Sequence, residues 1–256
     1  MSRGNGAGTA QRRVRKVAGP VASRLWLIDM QGYDRLPADG PAILCPNHIS
    51  FLDSAFLLLT LPRNISFVGK AEYMDSWKTK YLFPAMGMIP IDRSGGDKSK
   101  GALETAAGVL DRGELFGIFP EGTRSRDGLL YKGRTGAARL ALEAGCPIFP
   151  VGIVGTDAIQ PPGAKAPKPF KHCSITIGHP VRPDRYRDRR EPHLAWRSMI
   201  DEVMFEIREM TGQTYRDHYA GERVETSTDI PVVAHPASVT DTARAKLHER
   251  ELVGVK

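Results

Sequence analysis

Residues 42–59, AILCPNHISFLDSAFLLL, contain the pattern from which the fold of this chain is first predicted. The apolar run at 42–45 predicts a short buried strand, and the apolar residues from Ala55 onward predict a helix. Between them, residues 50–53 have the S-x-x-D form of a capping box, with Ser50 as the N-cap. The stretch therefore predicts a strand, a tight turn and a helix, in that order.

The turn contains a histidine and a carboxylate, His48 and Asp53, five residues apart. On an ideal helix their side chains would lie roughly 140° apart, so they can meet only if the chain bends. A bend just after His48 would place Asp53 in the first helical turn, where the helix dipole favours a carboxylate. Asp53 could then cap the helix, contact the imidazole as part of an active site, or do both.

Strands and helices alternate along the rest of the chain. Apolar runs predict strands at 26–31, 42–45, 65–68, 86–91, 115–119, 148–154 and 173–177, and helices at 51–60, 71–83, 98–112, 134–144 and 192–211. The alternation predicts an α/β fold with a single domain over residues 25–212, built on a mixed, mostly parallel sheet covered by helices on both faces. Residues 213–256 are polar and are expected to form a loosely ordered extension.

The positive charge of the chain is concentrated in residues 1–24. This arm holds six cations and no Asp or Glu, whereas the remainder carries 30 cations and 29 anions within a formal net charge of +7. A nearly neutral body argues against nucleic-acid binding, which needs a spread of cations. The basic arm is compatible with a tether to an anionic membrane, a solvated tail or an organelle transit peptide. No apolar run approaches the length of about 20 residues that a spanning helix needs.

Three cysteines, Cys45, Cys146 and Cys173, lie in or beside apolar runs. Their spacing fits neither a metal site nor a disulfide framework, so we expect buried thiols in a reducing compartment, and no metal. A nucleophilic Cys45 working with His48 is conceivable, but its position inside an apolar run argues against it.

Polar residues directly follow four of the predicted strands. They are Asn47-His48, Gly69-Lys70, Asp92-Arg93 and residues 121–124, EGTR. Ligands of open α/β sheets bind beyond the carboxyl ends of the strands, so these residues are expected to converge on one cleft. Arg93 and Arg124 there would suit an oxyanion, because the guanidinium fork matches phosphate or carboxylate.

Four blocks of this sequence resemble the glycerolipid acyltransferases, the family of 1-acylglycerol-3-phosphate (lysophosphatidic acid) acyltransferase. Residues 48–53, HISFLD, resemble the family's H-x4-D motif, and residues 119–125, FPEGTRS, are the most specific match. Residues 89–93, IPIDR, and 147–151, PIFPV, resemble two further blocks in the family's order. Many relatives carry a hydrophobic helix pair before the domain, where this chain has a basic arm. The resemblance implies a glycerol-3-phosphate acyltransferase-like fold, and this departure from the family favours a cytoplasmic protein peripheral to the membrane.

The resemblance also implies a reaction. A fatty acyl group would pass from a thioester, acyl-CoA or acyl carrier protein, to a hydroxyl of 1-acylglycerol 3-phosphate, giving phosphatidic acid with no other cofactor. His48 would be the general base, Asp53 would hold its ring, and no covalent intermediate would form. The acceptor site would contain Arg93 and Arg124 on the phosphate, Glu121 on the glycerol portion, Gly122 and Thr123 beside it, and Lys70 on the same anion or on coenzyme A.

Two alternatives remain open at this point. The same chemistry could act on glycerol 3-phosphate or on another lysolipid. A non-catalytic lipid-binding protein could use the same scaffold, although lipid binding alone would not explain His48 and Asp53.

Overall fold

The computed structural model describes residues 6–70, 87–91, 98–164, 166–187 and 191–221. The helices of these ranges are α1 (Gly6–Leu25), α2 (Leu52–Thr60), α3 (Lys98–Asp111), α4 (Gly136–Ala144), α5 (Thr156–Ile159) and α6 (Pro192–Thr211). The strands are β1 (Ile28–Gln31), β2 (Ala42–Pro46), β3 (Ile65–Lys70), β4 (Met88–Ile91), β5 (Leu115–Gly117), β6 (Leu130–Tyr131), β7 (Ile148–Val154), β8 (Cys173–Ile177) and β9 (Tyr215–Arg216). The helix predicted at 71–83 lies outside the described residues. Among the helices of the described ranges, none combines the length and the apolar character that crossing a membrane requires.

Within the described ranges, seven strands form one mixed sheet in the order β1-β8-β7-β2-β5-β3-β4. Only β7 and β8 pair antiparallel, and every other neighbouring pair is parallel. Strands β7, β2, β5, β3 and β4 therefore run in one direction, and their carboxyl ends meet at one edge of the sheet. This confirms the predicted mixed, mostly parallel sheet.

Both faces of the sheet are covered, and β2 shows why its sequence is an unbroken apolar run. Ile43 and Cys45 belong to the core under α3, α4 and α6, whereas Ala42 and Leu44 belong to the core that includes α2. Successive side chains of a strand point to opposite faces, so a strand buried on both faces has no polar position. All residues of β2 are buried.

Helix α6 has the predicted bounds, and one of its faces is buried. Met199, Ile200, Val203 and Ile207 are all fully buried at spacings of one, three and four. Pro192 stands in the first turn, and Gly212 follows the last turn in the left-handed conformation with φ of 68°. Proline at the start and glycine just past the end are the ordinary signals of helix termini.

The basic arm is a helix that packs on the domain, so a solvated tail is the wrong description of residues 6–25. Gln11 is buried and exchanges two hydrogen bonds with the backbone of Ile65, donating from Nε2 at 2.8 Å and accepting at Oε1 at 3.0 Å. Arg15 donates to the carbonyl oxygens of Leu61 and Arg63. The domain boundary predicted after residue 24 therefore falls inside a packed unit.

The first residues of the predicted C-terminal extension are also ordered. Strand β9 pairs in parallel with β6, and the N–H groups of Leu130 and Lys132 donate to the carbonyls of Thr214 and His218. Loose order is thus wrong for residues 213–221. Residues 222–256 lie outside the described part of the chain, so that portion of the prediction stays a prediction.

Candidate active site

His48 and Asp53 meet in the turn between β2 and α2. Nδ1 of His48 lies 2.9 Å from Oδ2 of Asp53. Strand β2 ends at Pro46 and α2 begins at Leu52, so the chain bends where the sequence required a bend. The predicted contact between the two side chains is confirmed.

Asp53 is fully buried, and both of its oxygens accept hydrogen bonds. Oδ2 accepts from the backbone N–H groups of Ile49 and Ser50, each at 2.8 Å. Oδ1 accepts from Oγ1 of Thr156 at 2.6 Å. These three donors fix the carboxylate independently of the imidazole, so the carboxylate can in turn fix the ring.

The capping function and the imidazole contact coexist in Asp53. Its bond to the Ser50 N–H is the carboxylate half of the predicted capping box. The other half differs, because Oγ of Ser50 accepts from the N–H of Leu52 at 3.3 Å and not from that of Asp53. The helix starts one residue later than predicted, with Phe51 at the N-cap position.

The His48 ring is oriented with one nitrogen towards the protein and the other available. An ionised carboxylate can only accept, so Nδ1 carries the hydrogen in the pair with Asp53 and Nε2 carries the lone pair. Among the described residues, none hydrogen-bonds to Nε2. The side chain is 21% exposed, and its ring stacks on Phe119 with centroids 3.8 Å apart. This is the arrangement that a general base needs.

Glu121 is bound by backbone N–H groups at both of its carboxylate oxygens. It is fully buried, Oε1 accepts from the backbone N–H of His48 at 3.0 Å, and Oε2 accepts from that of Tyr131 at 3.0 Å. Burial raises the pKa of Glu121 to about 7, and the two N–H donors offset that effect only in part. This geometry disfavours the predicted contact with the glycerol portion of a bound acceptor.

The rest of the EGTR segment lies closer to solvent. Gly122 has φ of 76°, a conformation that favours glycine, and both it and Thr123 are exposed. Arg124 is half-buried. Within the described residues, its guanidinium has neither a carboxylate nor a hydrogen-bond partner. A guanidinium that none of the described residues engages is suited to bind an external anion.

The remaining predicted anion-binding residues are only partly described. Arg93 lies outside the described residues, as does the side chain of Lys70. The backbone of Lys70 ends β3 opposite Ile91, the last residue of β4. Both strands end at the same edge of the sheet as β2 and β5, so the predicted convergence of strand ends holds for the backbone.

Two functional candidates, Thr156 and Arg134, carry no signal in the sequence, because only the fold brings them to the site, whereas Asn47 is among the polar residues predicted to lie at the cleft. Thr156 supports Asp53 from more than 100 positions away. Asn47 is buried and links β2 to the backbone of Ile153 and to Gln213. Arg134 lies against Gly122, where an added Cβ would approach its Nε to 2.9 Å, and its guanidinium stacks over Tyr219.

The cysteines are free and buried, as predicted. Burial raises the pKa of the Cys45 thiol far above its ordinary value, which disfavours the thiolate that a nucleophile requires. Over the described ranges, no three His, Cys, Asp or Glu side chains are grouped to hold a metal ion.

Comparison with known proteins agrees with this geometry. Residues 27–154 match the protein family described as Acyltransferase. The chain is 33% identical over 154 residues to the chloroplastic 1-acyl-sn-glycerol-3-phosphate acyltransferase BAT2 of Brassica napus, covering 60% of this chain and 44% of that protein. It is 30% identical over 155 residues to the chloroplastic enzyme LPAT1 of Arabidopsis thaliana, covering 60% and 43%. The chain thus spans less than half the length of these relatives.

A solved structure shows the same fold. The crystal structure of the 1-acyl-sn-glycerophosphate (LPA) acyltransferase PlsC from Thermotoga maritima aligns with a TM-score of 0.60 at 23% identity, over 79% of this chain and 78% of that one. The family match alone covers half of the 256 residues. This chain belongs to the Acyltransferase family.

Proposed function

We propose that this protein transfers a fatty acyl group from acyl-CoA or acyl carrier protein to the free hydroxyl of 1-acylglycerol 3-phosphate, giving phosphatidic acid. The observation that carries the proposal is the 2.9 Å contact between His48 and Asp53 on a partly exposed ring. The names of the relatives, which are 1-acyl-sn-glycerol-3-phosphate acyltransferases, support the choice of reaction. No cofactor besides the thioester is required.

In the proposed mechanism, His48 acts as the general base. Nε2 takes the proton of the acceptor hydroxyl while the hydroxyl oxygen attacks the thioester carbonyl. The tetrahedral intermediate then collapses, the carbon–sulfur bond breaks, and the imidazolium returns the proton to the leaving thiolate. The substrate hydroxyl takes the place that serine has in a Ser-His-Asp triad, so no acyl-enzyme forms.

Asp53 contributes by orienting the base and by stabilising its charged form. The imidazolium that forms during attack lies beside a buried carboxylate, which favours the charge. Because Thr156 and two backbone N–H groups hold the carboxylate, the ring needs no rearrangement at that moment.

The acceptor phosphate is proposed to bind Arg124, with Arg93 and Lys70 completing the anion site and Gly122 and Thr123 lining it. Arg124 is half-buried, and none of the described residues neutralises it. A charge-assisted hydrogen bond to a phosphate contributes more than a neutral one. Phosphorylated acceptors should therefore be preferred to unphosphorylated ones.

We further infer peripheral contact with an anionic membrane at its cytoplasmic surface, through α1. Val17 and Val21 are 74% and 62% exposed, one helical turn apart, and Arg13 is exposed one turn before Val17. Apolar side chains flanked by cations are typical of helices that lie in the lipid interface. The three free cysteines are compatible with a reducing compartment.

The test is release of CoA, or of acyl carrier protein thiol, by the purified full chain with a panel of acceptors. The panel contains 1-acylglycerol 3-phosphate, glycerol 3-phosphate, a lysophosphatidylcholine and a monoacylglycerol. We expect turnover to be fastest with 1-acylglycerol 3-phosphate. Faster turnover of another acceptor would contradict the proposed substrate. If the folded chain released no thiol with any acceptor, a lipid-binding protein would be favoured.

A further inference from the structure

We propose that Glu121 is a positioning residue, which fixes the backbone of the catalytic histidine and touches neither substrate. The proposal rests on the function proposed above for His48. It differs from the role that the sequence resemblance implies, which is contact with the glycerol portion of the acceptor.

The first observation is that residues 121–125 hydrogen-bond to both the backbone N–H and the backbone carbonyl of His48. The N–H of His48 donates to Oε1 of Glu121 at 3.0 Å. The carbonyl oxygen of His48 accepts from the N–H of Ser125 at 2.8 Å. Residues 121–125 therefore fix the position from which the imidazole projects.

The second observation is that both oxygens of Glu121 must be acceptors. Oε2 accepts from the N–H of Tyr131, so each oxygen faces a backbone donor. Glutamine would replace one acceptor with an NH2 group directed at an N–H, and aspartate is one methylene too short to reach both donors. Only a glutamate carboxylate fits.

The third observation is that Glu121 occupies an unfavourable place for an ionisable group. Glu121 is fully buried, and within the described residues no cation forms an ion pair with it. The charged groups that act on it are Asp53 and Asp127, and both oppose its ionisation. Ionising a buried carboxyl group that has no cation among the described residues costs folding free energy, so the presence of glutamate here points to a requirement of the site and not to stability.

The experiment compares Glu121→Gln with Glu143→Gln in the full chain. Glu143 is a matched control for the same substitution, because its carboxylate is exposed on α4 and accepts from Arg139 of the same helix, away from His48 and residues 121–131. Steady-state kinetics with 1-acylglycerol 3-phosphate give kcat and KM. The amide signal of His48 in a nuclear magnetic resonance spectrum reports the hydrogen bond without any turnover.

For Glu121→Gln we expect kcat to fall roughly 10- to 100-fold while the acceptor KM changes less than about twofold, the signature of a displaced reacting group. The His48 amide signal should move upfield in this variant, whereas Glu143→Gln should change none of these quantities. A raised KM with unchanged kcat would overturn the proposal in favour of acceptor binding. Unchanged kcat and KM would overturn it outright.

Two further measurements distinguish failure of this proposal from failure of the proposed function and from misfolding of the variant. If the wild-type chain releases no thiol with any acceptor, the proposed function fails, and the His48 amide shift still tests the contact with Glu121. If Glu121→Gln does not fold, hydrogen exchange of the wild-type His48 amide replaces the measurements on that variant. Exchange as slow as that of a sheet amide supports the contact, and exchange at the rate of an exposed loop overturns it.

Discussion

At the residue scale, the site depends on carboxylates that accept several bonds each. Asp53 accepts one bond from the imidazole, two from backbone N–H groups and one from Thr156. Removing such a group therefore breaks the turn and the orientation of the base together. The S-x-x-D pattern could predict Asp53 as a cap, but the donors from distant residues could not be read from spacing.

The anion site gives a prediction at Arg124. We expect Arg124→Ala to raise the KM for 1-acylglycerol 3-phosphate roughly 10- to 100-fold, because a charge-assisted hydrogen bond contributes about 1.5 to 3 kcal/mol. The KM for an unphosphorylated monoacylglycerol should stay nearly constant. Arg126→Ala is the control, since Arg126 is an exposed arginine of the same loop. Equal weakening towards both acceptors would exclude a phosphate contact.

Glu121 predicts a pH dependence of stability. Its pKa rises from 4.5 to about 7 on folding, so above about pH 4.5 the unfolded chain loses this proton while the folded chain keeps it. Stability linked to Glu121 is therefore present at low pH and lost as pH rises through about 7. Between about pH 5 and pH 8, the unfolding free energy of the wild type should fall by about 2 to 3 kcal/mol relative to Glu121→Gln. Urea unfolding at the two pH values measures these free energies. The same difference between wild type and variant at both pH values would contradict the raised pKa.

At the scale of single elements, the sequence predicts what is local. The apolar run of β2, the buried face of α6 and the glycine after its last turn are each determined by neighbours along the chain. Helix α1 is missing from the sequence-based prediction, because its fixing contacts, from Gln11 and Arg15, are to residues about 50 positions away. A basic segment with few large apolar residues gives no local sign that it will pack.

Substitution by alanine is expected to have opposite effects on stability at two helical glycines, Gly19 in α1 and Gly101 in α3. A Cβ at Gly19 would lie 2.9 Å from the carbonyl oxygen of Leu59 in α2, whereas a Cβ at Gly101 in α3 would meet none of the described residues within 4 Å. We expect Gly19→Ala to destabilise the fold by about 1 kcal/mol or more, since the helices must separate. Gly101→Ala should stabilise it by about 0.5 to 1 kcal/mol through helix propensity. Thermal unfolding of both variants measures these stability changes, and stabilisation by Gly19→Ala would contradict the close contact between Gly19 and Leu59.

At the scale of the whole molecule, topology assembles the site. Alternating strands and helices predict that polar residues after β2 and β5 share one edge, and the parallel order of these strands explains why they do. Which of those residues turn inward depends on three-dimensional packing. Glu121 and Arg124 are three positions apart in one motif, yet the first is buried and the second is accessible. Sequence spacing could not separate their roles.

The exposed face of α1 predicts how the whole protein meets a bilayer. Deleting the segment would also remove the contacts of Gln11 and Arg15, so a surface double variant, Val17→Asp with Val21→Asp, is the cleaner change. We expect it to cosediment less with vesicles that contain phosphatidylglycerol, because each apolar contact is replaced by a charge repelled by the lipid. Neutral phosphatidylcholine vesicles are the control. Unchanged cosedimentation would contradict membrane contact through this face.

The central claim is that His48 removes the proton of the acceptor hydroxyl, and the most direct measurement is thioester consumption by His48→Ala. With 1-acylglycerol 3-phosphate present, the rate should fall roughly 10²- to 10⁴-fold, the usual contribution of a general base. His172→Ala, which truncates an exposed histidine, should retain the wild-type rate. Circular dichroism should show both variants folded. A folded His48→Ala variant that consumes thioester as fast as the wild type would contradict the account.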